Sequence, residues 1–312
     1  MSRKVALVTG ASRGIGKQCA IWLARAGFDV AITARTVTEG EAREHSPTVK
    51  ASNTKPLPGS LASTAELIEA AGAQALPVAA DLLDPASLGA CVATVQERRG
   101  RIDVVVHNGR YIGPGHMDIL MDTPVDLIQD QIVANAIAPL RINKLVLPGM
   151  IKRGSGIIVD ISSAAAYNNP TKAAGKGGYG LGYAMSKGAF HRVASVLAAE
   201  LEGTGVQVFN VAPGFIATER MAADMGDFGF AAAGGAPPEV VAAVVTWLAT
   251  DPKASQWNGL NIEAQFFCYE HNLLPGWEGP RVGPAPGPRY DYSASNLRDM
   301  EDRLRQSQAA AR

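Results

Sequence analysis

A glycine-rich turn between a short apolar run and a helical pattern constrains this chain most. Residues 5–9 (VALVT) are followed by Gly10, Gly14 and Gly16, after which apolar residues recur at helical spacing. Glycines let a diphosphate approach the free N–H groups at the start of a helix, where the helix dipole adds about half a positive charge. The pattern therefore predicts either an ordinary strand-to-helix turn or a nucleotide site.

Strand and helix patterns alternate seven times along the chain. Helical patterns or loops separate seven apolar runs, and the composition does not change along them as it would at the start of a second domain. The runs are at 5–9, 30–32, 75–80, 102–106, 156–161, 206–211 and 260–262. Fully apolar strands are typical of a parallel sheet that is covered on both faces. We therefore predict an α/β fold with a doubly wound, seven-stranded parallel sheet (a Rossmann fold) over residues 1–270.

Three segments depart from this alternation. Residues 36–60 are polar, contain three prolines and lack periodicity, which predicts an inserted surface loop. Residues 215–237 combine methionine, phenylalanine and glycine, which is typical of a hinged lid over a substrate site. Residues 271–312 form a Gly/Pro-rich C-terminal extension with a helical pattern over 295–308, which either docks on a neighbouring subunit or stays mobile.

Composition limits the partners of the chain. Its 29 basic and 29 acidic residues give zero formal net charge, which argues against nucleic acid or an anionic membrane surface as a partner. Its three cysteines are too widely spaced for a disulfide framework or a metal cluster, so we predict reduced thiols and no metal. No signal-peptide pattern is present and no apolar run reaches roughly 18 residues, so we expect a cytoplasmic protein without a membrane span.

Small, polar or charged residues follow the predicted strands. Ligands of parallel sheets bind beyond the carboxyl ends of the strands, so these residues are expected to meet in one cleft. In strand order they are the glycine turn, Arg35, Asp81 and Leu82, His107 to Gly109, Ser162 and Ser163, and Pro213 and Gly214.

Tyr183 and Lys187 lie four residues apart in a strong helical pattern, so they share one helix face. A free tyrosine titrates near ~10 and is a poor acid–base group at pH 7. An ammonium group in a partly dry cleft favours the phenolate and makes proton transfer feasible. The pair predicts either an exposed tyrosine–lysine contact or a proton-transfer site.

Taken together, these motifs resemble those of the short-chain dehydrogenase/reductase family over residues 3–263. The spacing of the glycines is that of this family and not the G-x-G-x-x-G of other dinucleotide folds. The features that carry the resemblance are residues 9–16, Asp81, Asn108 and Gly109, Asn135, Ser163, Tyr183 and Lys187, and Pro213 and Gly214. The loop and the tail also faintly resemble hydroxysteroid-dehydrogenase-like members. The resemblance implies an oxidoreductase that works as a homodimer or homotetramer.

The resemblance implies four catalytic residues. Tyr183 would exchange a proton with the substrate oxygen, Lys187 would keep the phenol acidic, and Ser163 would hydrogen-bond the same oxygen. Asn135 would hold a water of the proton relay, or it would satisfy the helix backbone at a kink. Ser162 competes with Ser163, because residues 168–178 lengthen the usual spacing to Tyr183, and Tyr179 competes weakly with Tyr183.

The cofactor site is implied in the same way. Arg35, with no carboxylate before it, follows the second strand, and Arg13 lies in the glycine turn. Two guanidinium groups favour a ribose 2′-phosphate, so we predict NADP(H) over NAD(H). Residues 107–110 (HNGR) depart from the family's Asn-Asn-Ala-Gly. The implied cofactor residues are Gly10, Ser12, Arg13, Gly14, Ile15, Gly16, Arg35, Asp81, Leu82, Asn108, Gly109, Tyr183, Lys187, Pro213, Gly214, Ile216 and Thr218.

Apolar residues near the predicted site favour a hydrophobic small-molecule substrate. They are Met221, Met225, Phe228 and Phe230 of the lid and residues 266–269 after the last strand. The leading hypothesis is an NADP(H)-dependent enzyme that interconverts a carbonyl and a secondary alcohol. The alternatives are an epimerase or dehydratase that keeps its cofactor bound, and a non-catalytic protein that senses a cofactor.

Overall fold

Seven strands form one parallel sheet in the computed structural model, which describes residues 3–230 and 232–281. The sheet order is β3-β2-β1-β4-β5-β6-β7, so the order reverses between β1 and β4 and opens a crevice at their carboxyl ends. This confirms the predicted fold class. The strands are β1 (Val5–Thr9), β2 (Asp29–Ala34), β3 (Ala75–Ala79), β4 (Val104–His107), β5 (Gly156–Ile161), β6 (Val206–Ala212) and β7 (Asn261–Glu263).

Helices cover both faces of the sheet, because alternate strand residues feed two separate cores. Val104 and Val106 of β4 pack in the core with α1 and α8, whereas Val105 packs in the core with α3 and α5. The helices are α1 (Gly14–Arg25), α2 (Leu61–Ala70), α3 (Pro85–Arg99), α4 (Val125–Ile132), α5 (Ala138–Arg153), α6 (Leu181–Glu200), α7 (Glu219–Asp224), α8 (Glu239–Thr250) and α9 (Ala264–Glu270). None of these helices is long and apolar enough to cross a membrane.

The long helical pattern over 125–150 is interrupted before its proline. A π-helical turn over Val133–Ile137 joins α4 to α5 and carries Asn135 into the interior. Pro139 lies in the first turn of α5, where its missing N–H costs no hydrogen bond. The helical pattern is therefore divided into α4 and α5 by the π turn, just before Pro139.

The inserted segment 36–60 contains no helix or strand, yet part of it is buried. His45 and Ser46 are 3% and 2% exposed. Ser60 accepts a hydrogen bond from the N–H of Ser63 at 3.0 Å and so caps α2. The segment is a packed structural element and not only a surface loop. The helical pattern over 295–308 lies outside the described residues.

Candidate active site

A cavity of about 530 Å³ opens at the carboxyl ends of the strands. All but two of the predicted site residues line it, although they come from seven separate stretches of the chain. The exceptions are Gly16, which is buried in α1, and Asn135, which is buried in the π turn. The inserted segment forms one wall through Glu41, Arg43, Glu44, His45 and Leu57.

At Gly10 and Gly16, the glycine turn has no room for a side chain. Gly10 has a φ of +64°, and a Cβ atom there would lie 2.7 Å from the Cα of Gly109. A Cβ atom on Gly16 would lie 2.4 Å from the oxygen of Gly10. The side chain of Asn108 donates to the backbone oxygens of Thr9 and Gly10, both at 3.0 Å, and braces the ends of β1 and β4. Such a cradle fits a dinucleotide diphosphate at the start of α1.

A carboxylate that sequence reasoning missed lies on this cradle. The N–H of Gly14 donates to Glu219 Oε2 at 3.0 Å, and Lys17 Nζ lies 2.5 Å from Glu219 Oε1. Burial alone would raise the pKa of Glu219, but Lys17 and the backbone N–H groups outweigh it and the pKa is lowered. Thr218, just before it, caps α7 by accepting from the N–H of Met221 at 3.3 Å. The lid is therefore attached to the start of α1.

The two predicted cofactor arginines have different surroundings. Arg13 donates to Pro58 O at 2.8 Å and Gly59 O at 2.7 Å, so its guanidinium joins the glycine turn to the inserted segment. The side chain of Arg35 donates to Ile112 O at 3.3 Å. Arg43, which sequence reasoning missed, also lines the cavity and donates to Arg35 O at 3.0 Å. Two arginines are thus close to the end of β2.

Tyr183 and Lys187 both reach the cavity from α6. The Tyr183 ring packs edge-on against His116, with ring centroids 4.5 Å apart. Lys187 is 3% exposed, and its Nζ donates to Ile161 O at 2.7 Å. Burial lowers the pKa of Lys187 to about 7, with Arg110 acting in the same direction and Asp160 opposing it. Lysine and tyrosine therefore share a water-poor site.

The two candidate serines differ in accessibility. Ser162 is 2% exposed, and its Oγ lies 3.2 Å from His191 Nδ1. Both serines line the cavity, but Ser163 is partly exposed and accepts from the N–H of Ala165 at 3.2 Å. His191, one helical turn beyond Lys187 on α6, was missed by sequence reasoning. The geometry favours Ser163 as the serine that meets a ligand.

Asn135 connects three parts of the site. Its Nδ2 donates to Ser186 Oγ at 2.8 Å, and its Oδ1 accepts from the N–H of Tyr111 at 2.6 Å. These contacts join the π turn to α6 and to the loop after β4, and neither is with the helix backbone around Asn135. A relay water held by Asn135 remains a prediction.

A row of buried polar side chains lies behind the cavity. His107, Asp160 and Asn210 are register partners on β4, β5 and β6. Burial raises the pKa of Asp160 to about 8, although Lys187 opposes this, and neither carboxylate oxygen has a hydrogen-bond partner within the described ranges. Burial lowers the pKa of His107 to about 4, and its Nε2 lies 2.7 Å from Asn143 Oδ1. No sequence motif pointed to Asp160.

The apolar wall of the cavity comes from the lid and not from the last helix. Met221, Met225 and Phe230 line the cavity, whereas Phe228 does not. The prediction that residues 266–269 help to form this wall is wrong, because α9 turns Phe267 and Cys268 into the core beside α8. Phe266 and Tyr269, on the other side of α9, are exposed.

The segment predicted to be a lid is bonded to the inserted segment through Asp224. His45 Nδ1 lies 2.6 Å from Asp224 Oδ2, and both side chains are buried. Asn53 Nδ2 donates to the other oxygen of Asp224 at 3.1 Å. Asp224 therefore joins α7 to the inserted segment by two side-chain contacts.

Comparison with known proteins identifies relatives for most of the chain. The family model described as short chain dehydrogenase matches residues 4–66 and 48–227. A short chain dehydrogenase of Pseudocercospora fijiensis is 33% identical over 71% of this chain and 62% of its own length. A 3-oxoacyl-[acyl-carrier-protein] reductase of Synechocystis is 32% identical over 83% of this chain and 94% of its own. The first match spans less than two thirds of the fungal protein, and the second spans nearly all of the cyanobacterial one.

Solved structures give the same result. A short-chain dehydrogenase/reductase from Burkholderia xenovorans superposes with a TM-score of 0.68 at 26% identity, over 84% of this chain and 95% of its own. A metagenomic short-chain oxidoreductase in complex with NADP superposes with a TM-score of 0.62 at 29% identity, over 84% and 96%.

Proposed function

The chain belongs to the short chain dehydrogenase family of oxidoreductases, and from this premise we propose that it interconverts a carbonyl and a secondary alcohol on a small molecule with an apolar body, using NADP(H). The observation that carries the proposal is that Tyr183, Lys187 and Ser163 line the same cavity as the glycine turn.

The chain's own residues would hold the cofactor along this cavity. The glycine turn and the start of α1 would hold the diphosphate, and Asp81 and Leu82 would lie beside the adenine. Lys187 would hold the nicotinamide ribose, with the segment from Pro213 to Thr218 beside the nicotinamide. The bound nicotinamide would supply or accept the hydride.

The proton chemistry would belong to the side chains. Ser163 and Tyr183 would both hydrogen-bond the substrate oxygen, and Tyr183 would donate the proton during reduction. Lys187 is buried, so in its protonated form its charge would act on the phenol of Tyr183 through a low-dielectric medium. The Lys187–Ile161 hydrogen bond fixes the position of the ammonium group.

The preference for NADP(H) is supported by the end of β2. Arg35 and Arg43 line the cavity there, and the carboxylate of Glu41, which also lines it, is bonded to Arg43 at 2.7 Å. A guanidinium suits a phosphate better than a ribose hydroxyl. One of the superposed relatives is a complex with NADP.

We also propose a homodimer or homotetramer. Large apolar side chains are exposed on α5 and α6, namely Leu145, Ile151, Met185 and Val196. Exposed apolar side chains that gather into one patch are typical of a protein interface. Light scattering after size exclusion would test this, and a monomer at micromolar concentration would contradict it.

A screen of NADPH oxidation with ketones, aldehydes and quinones tests the main proposal, with Tyr183→Phe as the matched variant. We expect Tyr183-dependent turnover with at least one carbonyl class. Product formation without net NADPH consumption would favour an epimerase or dehydratase. Tight NADPH binding without any turnover would favour a cofactor sensor.

A further inference from the structure

The guanidinium group of Arg110 lies near the ring of Tyr183, the proposed proton donor. It follows β4 at the point where the chain departs from the family motif, and it lines the cavity. Its Cζ lies 5.9 Å from the centroid of the Tyr183 ring, and Nη1 donates to Tyr111 O at 3.1 Å. Burial lowers the pKa of Arg110, with Tyr183 opposing the shift.

A second buried guanidinium lines the same cavity from the lid. Arg220 on α7 is 6% exposed, and its Nη2 donates to His45 O at 3.3 Å. Its Nε and Nη1 have no hydrogen-bond partner within the described ranges, and Nε is 3.9 Å from Asp224 Oδ2. Asp224 is already bonded to His45 and Asn53. A buried N–H without an acceptor is costly, so Arg220 is poised for an additional acceptor.

Within the described residues, no carboxylate of the cavity wall is hydrogen-bonded to Arg110 or Arg220. The lining carboxylates are Glu41, Glu44 and Asp81, which belong to the inserted segment and to the end of β3. Glu41 is bonded to Arg43, and Glu44 accepts from the N–H groups of Ser46 and Asn53.

The neighbouring histidine, His116, is neutral at pH 7. Burial first, and then the charges of Arg110, Arg220 and Lys187, lower the pKa of His116 well below its usual value. His116 packs against the Tyr183 ring and lines the same cavity as Arg110 and Arg220. This cavity therefore carries two guanidinium groups and a neutral imidazole, together with Lys187, whose pKa is lowered to about 7.

We propose that Arg110 and Arg220 bind a carboxylate of the substrate, so that the enzyme reduces an oxo acid, or oxidises a hydroxy acid, with an apolar body. Guanidinium groups bind carboxylates through paired, charge-assisted hydrogen bonds. Met221, Met225 and Phe230 then contact the apolar part of the same molecule. The inference rests on the proposed function, since it names the substrate class of that site.

Matched pairs of acid and ester test the inference. Benzoylformate is compared with methyl benzoylformate, and levulinate with methyl levulinate, in steady-state NADPH oxidation. We expect kcat/KM to favour the acid of at least one pair by about 100-fold, and Arg110→Gln or Arg220→Gln to reduce that ratio by about 10- to 100-fold. Arg220→Lys, which keeps the positive charge, should retain part of the preference for the acid. Arg192→Gln, an exposed arginine on α6, is the control and should leave the ratio unchanged.

Binding is measured separately from turnover. Calorimetric titration of benzoylformate and levulinate into the NADPH complex should give binding of at least one acid that Arg110→Gln abolishes, while the Kd of NADPH stays within about threefold of wild type. Weaker NADPH binding with an unchanged acid-to-ester ratio would assign the arginines to the cofactor phosphates and overturn the inference. Reduction of esters and neutral ketones without any preference for acids would also overturn it, but would leave the proposed function intact. Acid binding that depends on both arginines, without turnover, would support the inference and count against the reductase.

Discussion

Replacing Glu219 with glutamine should tighten cofactor binding while it weakens the fold. The carboxylate of Glu219 lies on the N–H of Gly14 and on Lys17, at the start of the helix where a diphosphate is expected. An anion that takes these donors must first displace Glu219. The substitution removes the charge of the competitor and keeps its size.

The structure sets the magnitude of this effect. The Lys17 and Glu219 side chains are 22% and 26% exposed, so solvent limits their ion pair to about 0.2–1 kcal/mol. The hydrogen bond from a backbone N–H at a helix start to a carboxylate stabilises the fold by about 1 kcal/mol more. Breaking both contacts therefore costs about 1–2 kcal/mol, which corresponds to about 5- to 30-fold in the Kd of NADPH.

Fluorescence titration of NADPH and thermal unfolding test this reasoning together. Glu219→Gln should show the tighter Kd and a Tm lower by about 2–8 °C. Asp227→Asn, an exposed lid carboxylate, is the control and should change neither quantity. A lower Tm with an unchanged or weaker Kd would refute the competition between Glu219 and the cofactor.

Three further predictions concern the cofactor, the buried aspartate and the serines. Arg35→Asp should lower kcat/KM for NADPH by about 100-fold and raise it for NADH, and an unchanged ratio of the two would contradict the role of Arg35. Because burial raises the pKa of Asp160 to about 8, the folded state keeps a proton that the unfolded chain releases above about pH 4, so stability falls as pH rises through that window. The Tm of Asp160→Asn minus that of wild type should therefore increase from pH 5 to pH 8, and a Tm difference that stays constant would count against the raised pKa of Asp160. Ser163→Ala should lower kcat by about 100-fold or more and Ser162→Ala by less than about tenfold, whereas the reverse order would give the role to Ser162.

The features that were predictable from the sequence are local ones. The strand, the glycine turn and α1 follow from an apolar run and from glycines placed where a Cβ atom would clash, as at Gly10 and Gly16. Tyr183 and Lys187 share a helix face because they are four residues apart. The position of the cavity follows from the parallel sheet, since the residues after each strand meet at one edge.

The features that were missed depend on long-range packing. Glu219 reaches Gly14 across 205 residues, and no spacing rule relates the two positions. Residues 266–269 are apolar, but the direction of α9 decides that Phe267 enters the core and not the cavity. The proposed joint role of Arg110 and Arg220 emerges only from the fold, which brings α7 and the residue after β4 to the same cavity.

Pre-steady-state mixing of the NADPH complex with a carbonyl substrate found in the screen tests the central claim most directly. The claim is that Tyr183 supplies the proton beside a nicotinamide held by the glycine turn. Tyr183→Phe should bind NADPH within about threefold of wild type, while its single-turnover rate of NADPH oxidation falls by about 100- to 10,000-fold. A rate within about threefold of wild type, at saturating NADPH and substrate, would contradict the claim.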